Sequence, residues 1–366
     1  MTDEGLLKSE ERAVYGLRSL YRRFGYSRYK MSKFEEYDLY ARNKAFLVSD
    51  EIITFTGGSG KLMALRPDVT LSIVKNSKAL TGAVQKLYYN EYVYRLSRGT
   101  GEFKEIMQTG LECIGEVSVY HICEVLTLAA KSLQFIDEDY ILDVSHAGLV
   151  SALLEDCVEE ELRPGVLECV RAKNPDGAGD LPGITPRAAE LARLLSADYE
   201  SFEAAKLALG GYLDRGEARA AMEEFGVIYS ALEKLGLTDR VRIDFSIANN
   251  MSYYSGVVFK GYINGIPAGV LSGGQYDKLM RRLGRSSGAI GFAVYLDVLE
   301  RFRQRSSEYD TDIVLLRGED DDPAELIAAV ERLSADGESV AVLRELPAGY
   351  LYRRAYRLDR GEARPL

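Results

Sequence analysis

Gln108 and Glu112 are the residues of this sequence whose types and spacing point most directly to a chemical role. They belong to the run from Glu102 to Gly115, whose composition favours a β-strand. Even spacing along a strand places both side chains on one face, together with Ile106 and Gly110. An amide and a carboxylate on one face of a central strand are costly unless they contact a polar ligand or a partner. The pair therefore predicts a binding surface for a polar molecule.

A second candidate group lies between residues 241 and 277, where tyrosines and glycines accompany short apolar runs. We expect a three-stranded antiparallel meander built from Val241 to Phe245, Ser255 to Tyr262 and Ala268 to Leu271. Tyr253 and Tyr254 precede its second strand, and the pair Gly273-Gly274 follows its third. Glycine lets backbone approach a ligand closely because it has no Cβ, although an isolated glycine pair is more often a tight turn. The stretch predicts a pocket wall.

Asp68 and Thr70 form a third candidate group. They follow the apolar run Leu62 to Leu65, which predicts a strand ending at Pro67, a residue that cannot donate to a strand ladder. Both residues are suited to capping the first turn of a helix expected from Leu71 to Asn76. Capping and ligand contact are equally good explanations of this pair from the sequence.

Composition narrows the class of protein. The 366 residues are 46% hydrophobic, which is enough to bury at least one large core. The formal net charge of −10 disfavours a nucleic-acid partner, because an acidic surface repels phosphates. No signal peptide and no membrane-spanning run are visible, so a cytoplasmic protein is expected. The four cysteines lack C-x-x-C spacing and there are two histidines, so neither a structural zinc site nor histidine-dependent catalysis is expected.

The chain is organised as a core with a helical insertion and a second, smaller unit. We expect the core to occupy residues 1–305, with an insertion at about 147–238 that contains a loop from Asn174 to Ile184. Strands are expected at Gln85 to Tyr94 and Glu102 to Gly115, joined by a loop that begins at Arg95. Residues 306–366 have a βαβ-like pattern followed by a polar, arginine-rich tail.

The order of these elements resembles the catalytic core of histidyl-tRNA synthetases, a class II synthetase fold. The resemblance spans roughly Glu4 to Arg301 and is interrupted by the helical insertion. It implies an α+β fold with a class II aminoacyl-tRNA synthetase-like antiparallel sheet flanked by helices, a helical insertion and a small C-terminal α/β unit. That unit is expected to be truncated relative to an anticodon-binding domain.

Two sequence motifs that resemble those of histidyl-tRNA synthetases imply roles for four of the candidate residues. LMALRPDVT is similar to the family's strand-to-helix signature, which implies that Asp68 and Thr70 hold the amino group of bound histidine. VYRLSRGTGEFKEIMQTGLECIG is similar to class II motif 2, which implies that Gln108 and Glu112 contact the histidine. The shorter Asp68 stands where the family usually has a glutamate.

The remaining predicted ligand contacts come from three further matches. Arg95 takes the position of the motif 2 arginine if one loop residue is deleted, and Tyr94 takes it otherwise. NNMSYYSGVVF and SGGQYDKL resemble the family's two histidine-pocket signatures. This similarity places Tyr253, Tyr254, Gly273 and Gly274 around the imidazole.

The departures from the synthetase pattern concern the residues that bind ATP. Asn249, or Asn250 in a register shifted by one, stands where a synthetase has the arginine that activates the carboxylate. Val298 stands where motif 3 has an ATP-binding arginine, and Glu102 and Lys104 stand where motif 2 has further arginines. Adenylation depends on fixed cations against the triphosphate. A synthetase core without ATP chemistry is the expectation.

This pattern is similar to the family of ATP phosphoribosyltransferase regulatory subunits, which are histidyl-tRNA synthetase paralogues of histidine biosynthesis. The resemblance implies a non-catalytic subunit that dimerises and joins a short-form catalytic subunit in a hetero-octamer. It would be required for activity and for allosteric feedback inhibition by histidine, without a cofactor or a catalytic residue of its own. The alternatives are a divergent histidyl-tRNA synthetase and a stand-alone histidine-binding module.

Overall fold

The computed structural model describes residues 9–47, 51–77, 82–97, 100–214, 216–248, 253–303, 309–359 and 361–366. The chain forms two compact units, one within Lys8–Phe302 and the other within Arg303–Leu366. In the described ranges, no helix combines the length and the apolar content that crossing a membrane requires.

The first unit is built on a large sheet, a small sheet and flanking helices. Its strands are β1 (Ser27–Arg28), β2 (Phe34–Glu36), β3 (Thr54–Thr56), β4 (Leu62–Leu65), β5 (Val84–Leu96), β6 (Phe103–Gly115), β7 (Tyr140–His146), β8 (Val241–Ile243), β9 (Val257–Ile263), β10 (Leu271–Gln275) and β11 (Gly288–Tyr295). Its helices are α1 (Ser9–Arg23), α2 (Tyr37–Ala41), α3 (Thr70–Asn76), α4 (Val119–Ile136), α5 (Ala147–Cys157), α6 (Arg163–Arg171), α7 (Pro175–Gly179), α8 (Pro186–Ser196), α9 (Phe202–Ala208), α10 (Gly216–Lys234), α11 (Asp277–Arg282) and α12 (Leu296–Arg303).

The large sheet has eight strands in the order β1-β5-β6-β11-β10-β9-β7-β8. The outer pairs β1–β5 and β7–β8 are parallel, and the five pairs between them are antiparallel. β5 and β6 are thirteen residues each and pair along their whole length. The core of the sheet is therefore antiparallel, which is the fold class expected from the sequence.

The two faces of the large sheet carry separate apolar clusters. The α4 face, covered by α1 and α4, buries residues such as Leu17, Leu111, Leu133 and Phe292. The opposite face, here called the cavity face, buries a smaller cluster with side chains from α3, α11, β4, β5 and β6. Successive side chains of a strand point to opposite faces of the sheet, so neighbours such as Leu111 and Glu112 of β6 belong to different faces. This alternation explains why the two clusters are separate.

The predicted meander between residues 241 and 271 is wrong in its pairing. β8 does not neighbour β9, because β7 lies between them and runs parallel to β8. The third strand also begins only at Leu271 and continues through Gly273-Gly274 to Gln275. The hydrophobic pattern of a segment predicts that it forms a strand. It does not predict that a strand from a distant part of the chain, here β7, lies between two segments that are close in sequence.

Two predicted loops contain regular structure. β5 extends to Leu96, so Arg95 lies in a strand opposite Lys104 of β6 rather than in a loop. The expected loop from Asn174 to Ile184 includes α7, whose first turn is capped by the Asn174 side chain accepting a hydrogen bond from the Gly177 N–H at 3.0 Å. The helical insertion itself is present as α5 to α10.

Arg66 joins the segment after β4 to the large sheet. The side chain is completely buried, and its guanidinium donates to the Ser32 carbonyl at 2.5 Å, the Tyr92 carbonyl at 2.8 Å and the Glu91 carboxylate at 3.0 Å. The Tyr94 N–H in turn donates to the Arg66 carbonyl at 2.9 Å. A buried arginine requires such complete pairing, and here the pairing fixes the start of α3 against β5.

The second unit contains β12 (Thr311–Leu316), α13 (Pro323–Leu333), β13 (Val340–Leu343), β14 (Tyr352–Asp359) and β15 (Glu362–Pro365). The predicted βαβ pattern is confirmed, since β12 and β13 are parallel. The polar, arginine-rich tail forms β14 and β15, two strands that the sequence did not predict, in a sheet of order β13-β12-β14-β15. Leu358 is buried in the cluster with Leu326 and Ala329 of α13, which explains why an arginine-rich segment becomes a strand.

Candidate functional site

A cavity of about 110 Å³ opens on the cavity face of the large sheet. Eight of the nine residues predicted to contact a ligand line it, namely Asp68, Thr70, Arg95, Gln108, Glu112, Tyr253, Tyr254 and Gly273. They come from the start of α3, from β5, β6 and β10, and from the segment before β9. The structure therefore brings together residues as far apart in the chain as Asp68 and Gly273.

Small residues form the floor of this cavity. Directly opposite residues of antiparallel strands share a face, so Gly291 of β11 lies beside Glu112, and Ala293 lies beside Gly110. A Cβ on Gly291 would lie 1.8 Å from Glu112 Oε2 and 2.4 Å from the Leu111 carbonyl. The carboxyl group of Glu112 thus occupies space that glycine leaves open.

Close packing explains why both residues of the glycine pair in β10 lack a side chain. A Cβ on Gly274 would lie 2.6 Å from the Tyr254 ring, so this glycine lies beneath the ring and does not line the cavity. A Cβ on Gly273 would lie 2.4 Å from the Phe292 Cβ and 2.7 Å from the Phe259 ring on the α4 face. Both residues are in a strand, so the alternative of a tight turn is wrong.

Glu112 is the most deeply placed polar group of the cavity. One carboxyl oxygen accepts from the Thr70 hydroxyl at 2.8 Å, and the other accepts from the Tyr276 hydroxyl. Burial raises the pKa of Glu112 to about 8, although both hydroxyl donors act in the opposite direction. At neutral pH this carboxyl is therefore largely protonated and can share a proton with a ligand nitrogen.

The Glu112→Gln variant is expected to lose a pH dependence of stability. The pKa of Glu112 in the folded protein lies above the ordinary value of 4.5, so the protonated carboxyl favours folding, and its contribution is lost as pH rises through about 8. Glutamine keeps an acceptor oxygen but does not titrate. Chemical denaturation between about pH 5 and pH 9 should show that the free energy of unfolding falls more steeply in the wild type. Parallel pH curves for the two proteins would contradict the raised pKa.

Asp68 both caps a helix and faces the cavity. Its Oδ1 accepts from the Leu71 N–H at 2.8 Å in the first turn of α3. Its Oδ2 lies 3.7 Å from Nη2 of Arg95, and burial raises the pKa of Asp68 while Arg95 partly offsets this effect. Helix capping and ligand contact, the two explanations that the sequence left open, are therefore compatible. One carboxyl oxygen caps α3, and the other faces Arg95.

Arg95, rather than Tyr94, points into the cavity. Its Nε donates to the Pro67 carbonyl at 2.7 Å, whereas the Tyr94 hydroxyl donates to Glu105 at 2.7 Å and does not line the cavity. Gln108 lies deeper at this end, and its Nε2 is buried without a hydrogen-bond partner in the described part of the chain. An unpaired buried donor in a cavity that also contains a cation fits an anionic or carbonyl oxygen of a ligand.

Tyr276 is a functional candidate that the sequence reasoning missed. It is 2% exposed, lines the cavity and donates to Glu112, and its ring centroid is 5.8 Å from that of Tyr253. Tyr253 in turn packs at 4.7 Å and 74° against Tyr254. The available signal was its place two residues after the glycine pair, in the run SGGQYD. Tyr89, Ser272 and Tyr295 also line the cavity without having been predicted.

The positions that depart from the synthetase pattern lie outside the cavity lining or outside the described residues. Val298 is partly buried and packs against the cluster of the α4 face. Glu102 and Lys104 do not line the cavity. Asn249 and Asn250 belong to residues 249–252, which lie outside the described residues.

Comparison with known proteins identifies the family. The family model described as histidyl-tRNA synthetase matches residues 5–299. The chain belongs to this family. The predicted resemblance to histidyl-tRNA synthetases and the class II synthetase-like fold are thereby confirmed.

Individual relatives of this family carry a regulatory name. An ATP phosphoribosyltransferase regulatory subunit of Clostridium kluyveri is 28% identical over 295 residues, which cover 77% of this chain and 74% of the relative. The crystal structure of an ATP phosphoribosyltransferase regulatory subunit/histidyl-tRNA synthetase from Bacillus halodurans has a TM-score of 0.71 at 25% identity and covers 95% of this chain and 93% of its own. The predicted similarity to regulatory subunits is confirmed by these relatives.

A third similarity concerns the fold alone. A chain of the ATP phosphoribosyl transferase (HisG:HisZ) complex from Thermotoga maritima aligns with a TM-score of 0.62 at 20% identity. The alignment covers 78% of this chain and 97% of that one. The same histidyl-tRNA synthetase-like architecture is thus found in a subunit of a phosphoribosyltransferase complex.

Proposed function

We propose that this chain is the non-catalytic regulatory subunit of ATP phosphoribosyltransferase, the enzyme of the first step of histidine biosynthesis. It binds histidine in the tyrosine-lined cavity and assembles with a short-form catalytic subunit. The catalytic subunit requires it for full activity and is feedback-inhibited through it. The names of the relatives support the regulatory role, and the cavity geometry supports the ligand.

The observation that carries the proposal is the charge of the cavity. Among the described residues that line it, Arg95 is the single cation, and it is already paired with Asp68 and the Pro67 carbonyl. Adenylation of an amino acid needs several fixed cations against a triphosphate. The groups present instead suit one amino acid: a carboxyl and tyrosine hydroxyls for an imidazole, Asp68 for an ammonium group, and Gln108 with Arg95 for a carboxylate.

Regulation is a coupling free energy between two sites. Histidine bound to this chain changes the partner's activity only if the complex has two states that bind histidine differently. We propose that the chain dimerises and that its dimers join catalytic subunits in a hetero-octamer in the cytoplasm, without nucleic acid. The acidic net charge of −10 supports the last point.

The experiment that tests the proposal is reconstitution with a short-form ATP phosphoribosyltransferase. We expect co-elution on size exclusion, an increase in the partner's turnover on addition of this chain, and inhibition by histidine that the partner alone does not show. Absence of both association and activation would overturn the regulatory role. In the same experiment, the Glu112→Ala variant should still associate with the catalytic subunit, but the complex should no longer be inhibited by histidine. This result would separate histidine binding from assembly of the complex.

A histidyl-tRNA synthetase is the second candidate, because the matching family model carries that name. Its test is ATP–pyrophosphate exchange dependent on histidine, with the pure chain as the only protein. Clear exchange would replace the regulatory proposal. We expect none, since Val298 packs in an apolar cluster where the synthetase has an arginine.

A further inference from the structure

Tyr295 lines the cavity but has no role in the ligand contacts described above. It is the last residue of β11 and lies directly opposite Gln108 of β6. Its hydroxyl is 2.6 Å from the hydroxyl of Ser272 on the neighbouring strand β10. A large half-buried side chain therefore stands at the Gln108 end of a floor otherwise made of glycine, alanine and serine.

The direction of the Tyr295 ring follows from its partner. Ser272 is paired with Ala293, two residues before Tyr295 on β11, so the hydroxyl contact draws the ring back over the floor of the cavity. Tyr295 and Tyr254 both line the cavity. The ring thus points into the cavity.

The strand geometry sets the length of ligand that the cavity can hold. Gln108 and Glu112 are four residues apart on β6, and a strand rises about 3.3 Å per residue, so their Cα atoms are separated by about 13 Å. Both side chains line the cavity, and Gly110 lies between them on the same face of β6. A ligand whose ring contacts Glu112 and that extends along β6 would have its other end toward Gln108, which lies opposite Tyr295.

We propose that Tyr295 is the specificity-determining residue of the cavity, whose ring closes the Gln108 end and restricts the ligand to an amino acid with a free carboxylate. Ligands whose carboxylate carries a bulky amide, ester or acyl phosphate would overlap with the ring. This inference rests on the proposed function, because it takes an imidazole amino acid as the ligand. Exclusion by overlap is an ordinary way in which a binding site discriminates between related molecules.

The test compares L-histidine with L-histidine β-naphthylamide, which places an aromatic group on the carboxyl end. Calorimetric titration of the full chain is expected to show naphthylamide binding at least about 100-fold weaker than histidine binding in the wild type. In Tyr295→Ala the ratio of the two dissociation constants should fall by at least about tenfold. Tyr295→Phe, which keeps the ring, should retain the wild-type ratio.

The outcomes of this test distinguish a failure of the role proposed for Tyr295 from a failure of the proposed histidine site. If the wild type binds histidine and the naphthylamide equally, or if Tyr295→Ala leaves the ratio unchanged, the role of Tyr295 is overturned and the histidine site stands. If the wild type binds neither ligand, the proposed function and the inference both fail. Thermal denaturation verifies folding, and Tyr295→Leu, which retains apolar contact but lacks a ring, replaces the alanine variant if that variant is unfolded.

Discussion

Replacing Glu112 with alanine is expected to weaken histidine binding by about 10- to 100-fold, the loss that corresponds to a hydrogen bond with a charged partner of about 1.5–3 kcal/mol. Glu112 is 2% exposed and is the cavity carboxyl that Thr70 and Tyr276 hold in place. Its removal would take away the group proposed to share a proton with the imidazole and would leave both hydroxyl groups without this acceptor.

Titration calorimetry with L-histidine measures this effect, and Glu105→Ala is the matched control. Glu105 lies on the same strand but is exposed, and it accepts from the Tyr94 hydroxyl outside the cavity. Its variant should bind histidine as the wild type does. Unchanged affinity in a folded Glu112→Ala protein, verified by its melting temperature, would show that the ligand does not use this cavity.

Replacing Gly291 with alanine is expected to abolish measurable histidine binding and to lower the free energy of unfolding by about 1–3 kcal/mol, as overpacking of a close-packed site does. The added Cβ would lie 1.8 Å from Glu112 Oε2 and 2.4 Å from the Leu111 carbonyl. The carboxyl group can move, but the carbonyl belongs to the paired backbone of β6 and cannot. The displaced Glu112 side chain would occupy the ligand's place.

Gly58→Ala is the control for this variant. Gly58 is exposed in the turn between β3 and β4, and a Cβ there would meet no atom within 4 Å. Chemical denaturation should show a change within about 0.5 kcal/mol for the control. A Gly291→Ala protein that has wild-type stability and still binds histidine would mean that the floor of the cavity is not packed as described.

The local chemistry of the site was readable from the sequence, because it depends on spacing within short segments. Gln108 and Glu112 are four residues apart on one strand, and alternation alone places them on one face. Asp68 as a helix cap follows from its position before an apolar helix, and the structure adds that its second carboxyl oxygen faces Arg95. In both cases the inference involved only neighbours in the chain.

Features that depend on non-local pairing were not readable in this way. The sequence does not reveal that β7 inserts between β8 and β9, or that Gly291 must lack a side chain because Glu112 lies opposite. Tyr276 was missed for the same reason, since its partner is 164 residues away. The strands β14 and β15 were missed because their arginines obscure the alternating residues that pack under α13.

The buried side chain of Arg66 has a mechanical consequence for the walls of the cavity. Its side-chain bonds to Glu91 and Tyr92, and the backbone bond from Tyr94, fasten the segment carrying Asp68 and Thr70 to β5, the strand that carries Arg95 and pairs with all of β6. A ligand that draws Asp68 inward must therefore carry β5 and β6 with it. The two walls of the cavity would then move as one body, together with a hairpin whose two strands are thirteen residues long each.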